Sequence, residues 1–453
     1  MQDYDVVIIG AGQAGVPLAH SLAKAGKRTA LIERKHVGGS CVNFGCTPTK
    51  AALASARVAH LARRAGEFGL RIPTIEVDFP AVIQRARNIV DGHRSAIERG
   101  FAGKASPKLI VGHGRLDGRE GDRFRVVVGD ATILGRHVVL DTGTRSVIPP
   151  IEGLTGVDVI HAGNWLEHTE LPERIVVIGG GVIALEMAQF YRRMGSQVVV
   201  LEKGPRIAGS EDADVAEVLQ ELFAREGIEL HLEAAIERVE KSGTGVIAHV
   251  AGKGAVAGTH LFIATGRKPN TDDLGLDTAG VTVNRGIVEA DERLSTNVPG
   301  IWVAGDIRGG PMFTHTAWDD YRVLHSQLAG DGSRTTERVV PYAIFTDPEV
   351  GRVGMNEAQA RQSGKAIKVA RFEIRRNSKA EEIGEEHGFI KLIADAGTGH
   401  LLGATVLSHE AAELVHVYID LMNARAPFSV IRDSVYIHPT LAEAIQSATA
   451  LLE

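Results

Sequence analysis

Asp5-Val6-Val7-Ile8-Ile9-Gly10-Ala11-Gly12-Gln13-Ala14-Gly15 is a short apolar run that ends in a glycine turn of the form Gly-x-Gly-x-x-Gly. The run reads as a buried strand, and the residues after it, to about Ala25, as a helix. A second strand, Thr29-Ala30-Leu31-Ile32, then ends in Glu33. The chain repeats this unit once. After Arg174, Ile175-Val176-Val177-Ile178 leads into Gly179-Gly180-Gly181-Val182-Ile183-Ala184, a helix to about Met194, and Gln197-Val198-Val199-Val200-Leu201 closed by Glu202. The first glycine and the acid stand 23 positions apart in both copies, 10 to 33 and 179 to 202, close to the ~20 of a dinucleotide-binding unit. Glycines here let the backbone approach a pyrophosphate at a helix N-terminus, and the carboxylate accepts ribose hydroxyls. Two complete βαβ units predict two bound dinucleotides. Gly10, Gly12, Gly15 and Glu33 are candidate contacts for the first, and Gly179, Gly181, Ile183 and Glu202 for the second.

The chain's two cysteines both fall in Gly38-Gly39-Ser40-Cys41-Val42-Asn43-Phe44-Gly45-Cys46-Thr47-Pro48-Thr49-Lys50. Placed at random, two residues would fall this close in about 2% of chains of this length, so the pairing needs an explanation. Redox chemistry is the leading one. A four-residue spacer lets two thiols meet across a strained turn, and a strained, accessible disulfide is the labile, catalytic kind. Thr47-Pro48 reads as a helix start, which aims backbone N–H groups at Cys46 and favours its thiolate. Half of a zinc site, which needs four ligands, and two buried apolar thiols are the alternatives. No metal site is otherwise expected.

Size and composition bound the rest. At ~150 residues per domain, 453 residues suggest about three domains. With 44% hydrophobic and 23% charged residues the composition is that of a globular protein, and a net charge of −6 argues against a nucleic-acid partner. The N-terminus runs from Met1 straight into an apolar strand without a targeting segment, and no apolar run reaches membrane-spanning length. A cytoplasmic protein without a membrane partner is expected. Asp141-Thr142-Gly143-Thr144 and Ala264-Thr265-Gly266-Arg267-Lys268-Pro269-Asn270 share a Thr-Gly turn and bracket the second βαβ unit. They predict a domain over 151–268 inserted into a first domain that covers 1–150 and resumes over 269–335. In the returning part, Ile301-Trp302-Val303-Ala304 reads as a strand ending at Gly305-Asp306, where ligands bind in an open α/β sheet. The fold expected for these parts is α/β, with two Rossmann-like domains. Over 336–453 the strands Phe389–Ile393 and Leu401–Leu407 flank a turn. A helix presenting Leu414, Val415, Tyr418, Leu421 and Met422 on one face follows, as in an α+β domain.

Near the C-terminus, His438-Pro439-Thr440-Leu441-Ala442-Glu443 admits two readings. Thr440 through Glu443 fits a helix capping box. A histidine held by a carboxylate is also what thiol–disulfide exchange needs for proton transfer near neutral pH.

Taken together, the two fingerprints, the Cys-x4-Cys segment with its Gly-Gly-x-Cys lead and Pro-x-Lys tail, and the C-terminal His and Glu resemble the flavoprotein disulfide reductases, the class I pyridine nucleotide-disulfide oxidoreductases. The resemblance covers essentially the whole chain. It implies that the first fingerprint holds FAD and the second the nicotinamide nucleotide, and that 336–453 is the dimerisation domain of an obligate homodimer. It makes Cys41 the interchange thiol that attacks the substrate and Cys46 the charge-transfer thiol beside the flavin. Lys50 matches the lysine near the flavin, paired with Glu186 of the second fingerprint's helix. Gly39, Ser40, Gly114, Thr142, Gly143, Thr144, Asp306, Met312, Phe313, Thr314 and His315 match further FAD contacts, and Gly266 a contact in the crossing turn. His438 and Glu443 match an acid/base dyad that reaches the cysteines of the other subunit.

Within the family, Val182, Glu202 and the His438–Glu443 segment resemble dihydrolipoyl dehydrogenases, which favours NAD(H) over NADP(H) and a dithiol or disulfide such as a lipoyl group. Lys203 and Arg206 leave contact with a 2′-phosphate open. The cysteine segment and Phe313-Thr314-His315-Thr316-Ala317-Trp318-Asp319-Asp320 look more like chains grouped with mercuric reductases. The chain's end, Ala450-Leu451-Leu452-Glu453, lacks the second cysteine pair of true mercuric reductases. A mercuric-reductase-like or reactive-electrophile reductase, or a glutathione reductase-like enzyme, is the alternative reading.

Overall fold

The computed structural model describes residues 2–452; Met1 and Glu453, the two ends quoted above, lie outside the described residues. The first apolar run forms the strand Gln2–Ile9 at the centre of a seven-stranded sheet. It pairs in parallel with Thr29–Glu33 on one side and with Ala131–Leu140 on the other. Its side chains are buried alternately on both faces, as a central parallel strand requires. Val7 and Ile9 join one core cluster, while Val6 and Ile8 meet Leu18 and Leu22 of the following helix in another. That helix spans Gly15–Lys24. The far edge of Ala131–Leu140 is shared between antiparallel Arg123–Val128 and parallel Ile301–Val303. The returning strand thus lands beside the strand that left the sheet 161 residues earlier in the sequence, from Leu140 to Ile301.

The second unit builds a five-stranded parallel sheet in the order Ile228–His231, Gln197–Leu201, Arg174–Ile178, His260–Ile263, Val159–His161. Its helix is Val182–Met194. Chain exit and return meet in a two-stranded ribbon in which Thr144–Ser146 pairs antiparallel with Arg267–Pro269. The fold is therefore α/β, with one Rossmann-like sheet inserted into another. The C-terminal part adds an antiparallel five-stranded sheet, Pro341–Ile344, Glu349–Gly354, Leu401–Ser408, Phe389–Asp395 and Ile367–Glu373, covered by helices.

Two local expectations are corrected. The single helix expected through Leu414 and Met422 is two helices, Ala411–Leu414 and His416–Asn423, although Val415, Tyr418 and Leu421 still point into one core. The capping box at Thr440–Glu443 is half formed. The Glu443 carboxylate accepts the Thr440 N–H at 2.9 Å, but the Thr440 hydroxyl donates back to the Ile437 carbonyl at 2.8 Å. The helix begins only at Glu443, so the threonine is too far back to cap it.

Charged side chains lace the second nucleotide domain to its neighbours. Arg193, 5% exposed, donates to Glu226 at 2.7 Å and to Asp347 at 2.6 Å, and Asp347 also accepts from Arg57 at 2.6 Å. Burial alone would raise the Asp347 pKa, but Arg193 and Arg57 outweigh it and hold the carboxyl below its ordinary value. A carboxylate whose folded pKa is depressed contributes stability that is complete above its unfolded pKa and is lost as pH falls through the folded value. We predict that Arg193→Met lowers stability in denaturant titrations by ~3–5 kcal/mol at neutral pH, because it strips a buried partner from two carboxylates. The gap between parent and variant should narrow as pH falls through the depressed Asp347 pKa, where that carboxylate takes up a proton.

Candidate functional site

Both fingerprints end at one cavity of about 890 Å³, at the upper end of the ~300–1,000 Å³ of small-molecule sites. Its first wall is the Gly10–Gly15 turn. Gly10 has φ +109°, and a side chain there would meet the Asp141 carbonyl at 2.1 Å. At Gly12 a Cβ would come within 2.7 Å of the Asp141 carboxylate, which accepts the Gly15 N–H at 2.7 Å. Asp141 is buried, and that burial raises its pKa well above the usual carboxylate range, with the Gly15 N–H only partly offsetting it. Glu33 is pinned by the N–H groups of Ala11 at 3.0 Å and Lys35 at 2.8 Å, which leaves its carboxylate at the cavity edge. The cavity lining brings together glycine backbone, Glu33, Cys41 and Cys46. A flat, two-ended dinucleotide fits this donor set: backbone for the pyrophosphate, carboxylate for a ribose, thiols for the ring end.

The two thiols are free, and each is the group that most perturbs the other. Cys41 stands in the short helix Gly39–Asn43, and Cys46 is the first residue of the helix Cys46–Arg63. The turn between them is tight. Gly45 N–H donates to the Ser40 carbonyl at 2.7 Å, and the Trp165 indole donates to the Phe44 carbonyl at 2.9 Å. The neighbouring Cys41, the Thr314 hydroxyl 3.3 Å away and the Lys50 charge lower the Cys46 thiol, against burial, while Cys41 is raised by Cys46 and by burial. The Thr314 hydroxyl, the Lys50 charge and the start of a helix all favour a thiolate at Cys46 rather than at Cys41.

Lys50, one turn along the Cys46 helix, places Nζ 2.8 and 3.0 Å from the Glu186 carboxylate oxygens. Glu186 is 3% exposed and also accepts the Phe345 N–H at 3.0 Å. Thr144 donates its hydroxyl to Asp306 at 2.8 Å. Asp306, at the end of the returning strand, is raised by burial.

Most of the sequence-derived candidates line this cavity: Gly39, Ser40, Gly114, Thr142, Gly143, Ile183, Asp306 and Met312 through His315 among them. Gly15, Gly179, Gly181, Glu202 and Gly266 do not line it. Glu202 accepts the Gly204 N–H at 2.6 Å beneath Gly180, while Arg206 is engaged with the carbonyls of Gly209 and Glu211. His438 and Glu443 also lie outside the cavity, paired at 3.0 Å with His438 70% exposed. The Thr440 N–H and then His438 depress the Glu443 pKa. An ionised carboxylate only accepts hydrogen bonds, so His438 Nδ1 carries the hydrogen and Nε2 is left free.

Sequence reasoning missed Asp141 and Arg267. The signal for Asp141 was its place at the end of a strand, as for Asp306. Arg267 lines the cavity and donates to the Thr144 hydroxyl at 2.8 Å, the Thr144 carbonyl at 2.9 Å and the Ser40 hydroxyl at 3.2 Å. It stood in the quoted Thr-Gly-Arg turn, but only the folded ribbon brings it to Ser40. Among the described residues no cluster of His, Cys, Asp or Glu could hold a metal ion, and no helix is long and apolar enough to cross a membrane.

Residues 4–320 match the pyridine nucleotide-disulphide oxidoreductase family, and residues 340–449 match its dimerisation domain. The probable pyridine nucleotide-disulfide oxidoreductase RclA of Escherichia coli is 34% identical over 100% of both chains. A dihydrolipoyl dehydrogenase of Chlorobaculum tepidum is 33% identical, over 98% of this chain and 96% of that one. A solved Cu(II) complex of the HOCl-induced flavoprotein disulfide reductase RclA from Escherichia coli superposes with a TM-score of 0.91 at 33% identity, over the full length of both.

Loss of the Lys50 charge should show at Cys46. We predict that Lys50→Met raises the pH at which the reduced protein gains ultraviolet thiolate absorbance, a signal that only these two cysteines supply. It should also cost ~3–5 kcal/mol by leaving Glu186 buried without its cation.

Proposed function

The chain belongs to the pyridine nucleotide-disulphide oxidoreductase family, whose members depend on FAD and NAD(P)H. Within it we propose a homodimeric enzyme that moves electrons between NAD(H) and a disulfide or dithiol through Cys41 and Cys46. The observation that carries this reading is the asymmetric thiol pair opening on the cavity that both nucleotide domains border. Bound FAD would supply the relay of an electron pair between nicotinamide and the cysteines. The chain's own residues do the rest. Gly10, Gly12, Glu33 and Asp306 bind and orient the cofactor, with Gly39, Ser40 and the Thr142–Thr144 turn along its length. Lys50 and Glu186 hold a fixed charge pair beside the ring end.

In the reductive direction Cys41 attacks one sulfur of the substrate disulfide, and the departing sulfur takes a proton. Cys46 thiolate then displaces the second sulfur from the mixed disulfide, leaving Cys41–Cys46 oxidised and the substrate reduced. Because Cys41 is held protonated by its neighbour, it needs a base, and His438 with a free Nε2 is the candidate. His438 is not in its own chain's cavity. Val435 and Ile437 beside it are 99% and 79% exposed, and apolar side chains so exposed next to a reactive histidine favour cover by a second subunit.

Dihydrolipoamide or a lipoyl group on a protein is the favoured substrate, on the dihydrolipoyl dehydrogenase-like Val182, Glu202 and His438–Glu443. The full-length similarity to RclA favours a second reading, reduction of a reactive or metal electrophile. A steady-state panel of lipoamide, glutathione disulfide, Hg(II) and Cu(II) separates them, and turnover of metal ions alone would set aside the lipoyl assignment.

Coenzyme choice follows from Glu202, whose carboxylate suits ribose hydroxyls and repels a 2′-phosphate. NADH should be preferred over NADPH by about tenfold or more in kcat/KM, the scale of ~1–3 kcal/mol for an uncompensated contact; equal values would mean that Lys203 offsets the carboxylate. His438→Ala should leave flavin reduction by NADH nearly unchanged and slow the thiol half-reaction by roughly 10²–10⁴. Rapid-mixing absorbance resolves the two half-reactions, and a parental rate for the second would remove His438 from the mechanism.

A further inference from the structure

Three rings stand in a parallel stack, two of them, Phe313 and His315, at the edge of the cavity. His315 lies on Phe313 with centroids 5.3 Å apart and planes at 9°, and Phe313 lies on Tyr342 at 5.4 Å and 8°. His315 Nε2 lies 2.7 Å from the Pro341 carbonyl, which can only accept, so this nitrogen donates. The segment Phe313–His315 is therefore gripped by two successive residues of the strand Pro341–Ile344, which belongs to the C-terminal domain.

Tyr342 is itself held. Its hydroxyl donates to Glu211, whose other oxygen accepts from Arg352 at 2.8 Å, with Glu211 1% and Arg352 2% exposed. Glu211 N–H donates to the Ala208 carbonyl at 2.8 Å, and Ala208 N–H to the Gly180 carbonyl of the second fingerprint at 2.8 Å. Between the two stacked residues stands Thr314, with its hydroxyl 3.3 Å from the Cys46 sulfur. We propose that Tyr342 is a positioning residue for the redox thiol: through the Phe313–His315 stack it holds the Thr314 hydroxyl on the Cys46 sulfur. The inference rests on the reading of Cys46 as the thiol beside the flavin.

The physical ground is the steepness of hydrogen bonding with distance and angle. Thr314 is the first residue of the helix Thr314–Ala329, where backbone restraint is weakest. A hydroxyl already 3.3 Å from sulfur has little distance to lose. Flat rings on both flanks fix the backbone of the residue between them, whereas a flexible aliphatic side chain at 342 would let it drift. Tyr342 does not itself border the cavity, while Phe313, Thr314 and His315 do, so its influence on Cys46 is indirect. The charged and titratable groups acting on Cys46 are Cys41, Lys50, Glu186 and Arg267. Those facing the stack are Glu211 and Arg352 at the tyrosine and Arg338 and His416 at the histidine. None of the first set bonds to Tyr342, and the other route from 342 to Cys46, along the strand to the Phe345 N–H on Glu186, does not pass through Thr314.

The test is a pH titration of thiolate-to-flavin long-wavelength absorbance in FAD-loaded protein carrying Cys41→Ser, where Cys46 is the sole thiol. Tyr342→Leu should raise the midpoint by about one pH unit, which is about tenfold less thiolate below it. Thr314→Val should do the same, and the double variant should shift no further than either alone. Tyr342→Phe keeps the ring and should titrate like the parent while losing only the Glu211 hydrogen bond. If Tyr342→Leu fails to accumulate, Tyr342→Met removes the ring in the same way. An unmoved midpoint in the ringless variant, or shifts that add in full with Thr314→Val, would overturn the proposal and leave the stack a packing contact. A Cys41→Ser parent that binds FAD but has no such band at any pH would overturn the assignment of Cys46 itself, and the proposal with it.

Discussion

One carboxylate ties the three parts of this molecule together beside the two cysteines. Glu186 comes from the inserted nucleotide domain, its cation Lys50 from the helix that begins at Cys46, and its third partner, the Phe345 N–H, from the C-terminal domain. The Lys50 ammonium also stands 4.3 Å from the centre of the Phe345 ring. A carboxylate as buried as this costs several kcal/mol to desolvate unless its oxygens are satisfied. The domains can therefore separate only by exposing that charge or stranding it. The position of Cys46 relative to the inserted domain is thus coupled to folding rather than left to a flexible linker.

The same solution recurs further from the site. Asp347 of the C-terminal domain binds Arg57 of the cysteine helix and Arg193 of the inserted domain's helix. Lys391, 4% exposed, lies on the C-terminal sheet and reaches Asp212 at 2.8 Å and Asp214 at 2.9 Å. Buried ion pairs are poor sources of net stability compared with apolar packing, but they are unforgiving of misalignment. In an enzyme that must hold two cofactors and a dithiol in one line, alignment is the property that matters. The thiol pair shows the electrostatic result: the Thr314 hydroxyl, the Lys50 charge and a helix start favour negative charge at Cys46 over Cys41, so two chemically identical side chains differ through their surroundings.

The C-terminal histidine illustrates how one local pattern can serve two ends. Thr440 through Glu443 looked like a helix cap, and half of that cap exists, since the carboxylate takes the Thr440 N–H. The same carboxylate takes the His438 ring nitrogen. Capping and orientation of the histidine are therefore not rival accounts. The backbone N–H keeps the carboxylate ionised and fixed, and a fixed carboxylate selects the tautomer that leaves Nε2 free.

The elements of both Rossmann-like sheets, the glycine turns and the redox segment were legible because their causes are local. Val6 to Ile9 must be buried on both faces, Gly10 must adopt φ +109° against the Asp141 carbonyl, and Cys46 must open a helix, and each demand falls on residues near in the chain. The helix through Val415 was misjudged at the same scale, because apolar spacing alone does not reveal a break between two short helices that share a core. What the chain alone could not disclose is which distant groups meet. Asp141 lies 126 residues from Gly15, Glu186 lies 136 from Lys50, and Arg267 lies 227 from Ser40. Residue identity and spacing determined the fold class, the two βαβ units and the single segment that holds both cysteines. Only tertiary docking decided which charges are buried together, how the thiols divide their protons, and which rings hold Thr314 against Cys46. Those outcomes depend on desolvation and on sub-ångström distance, and neither exists until the domains have closed on one another.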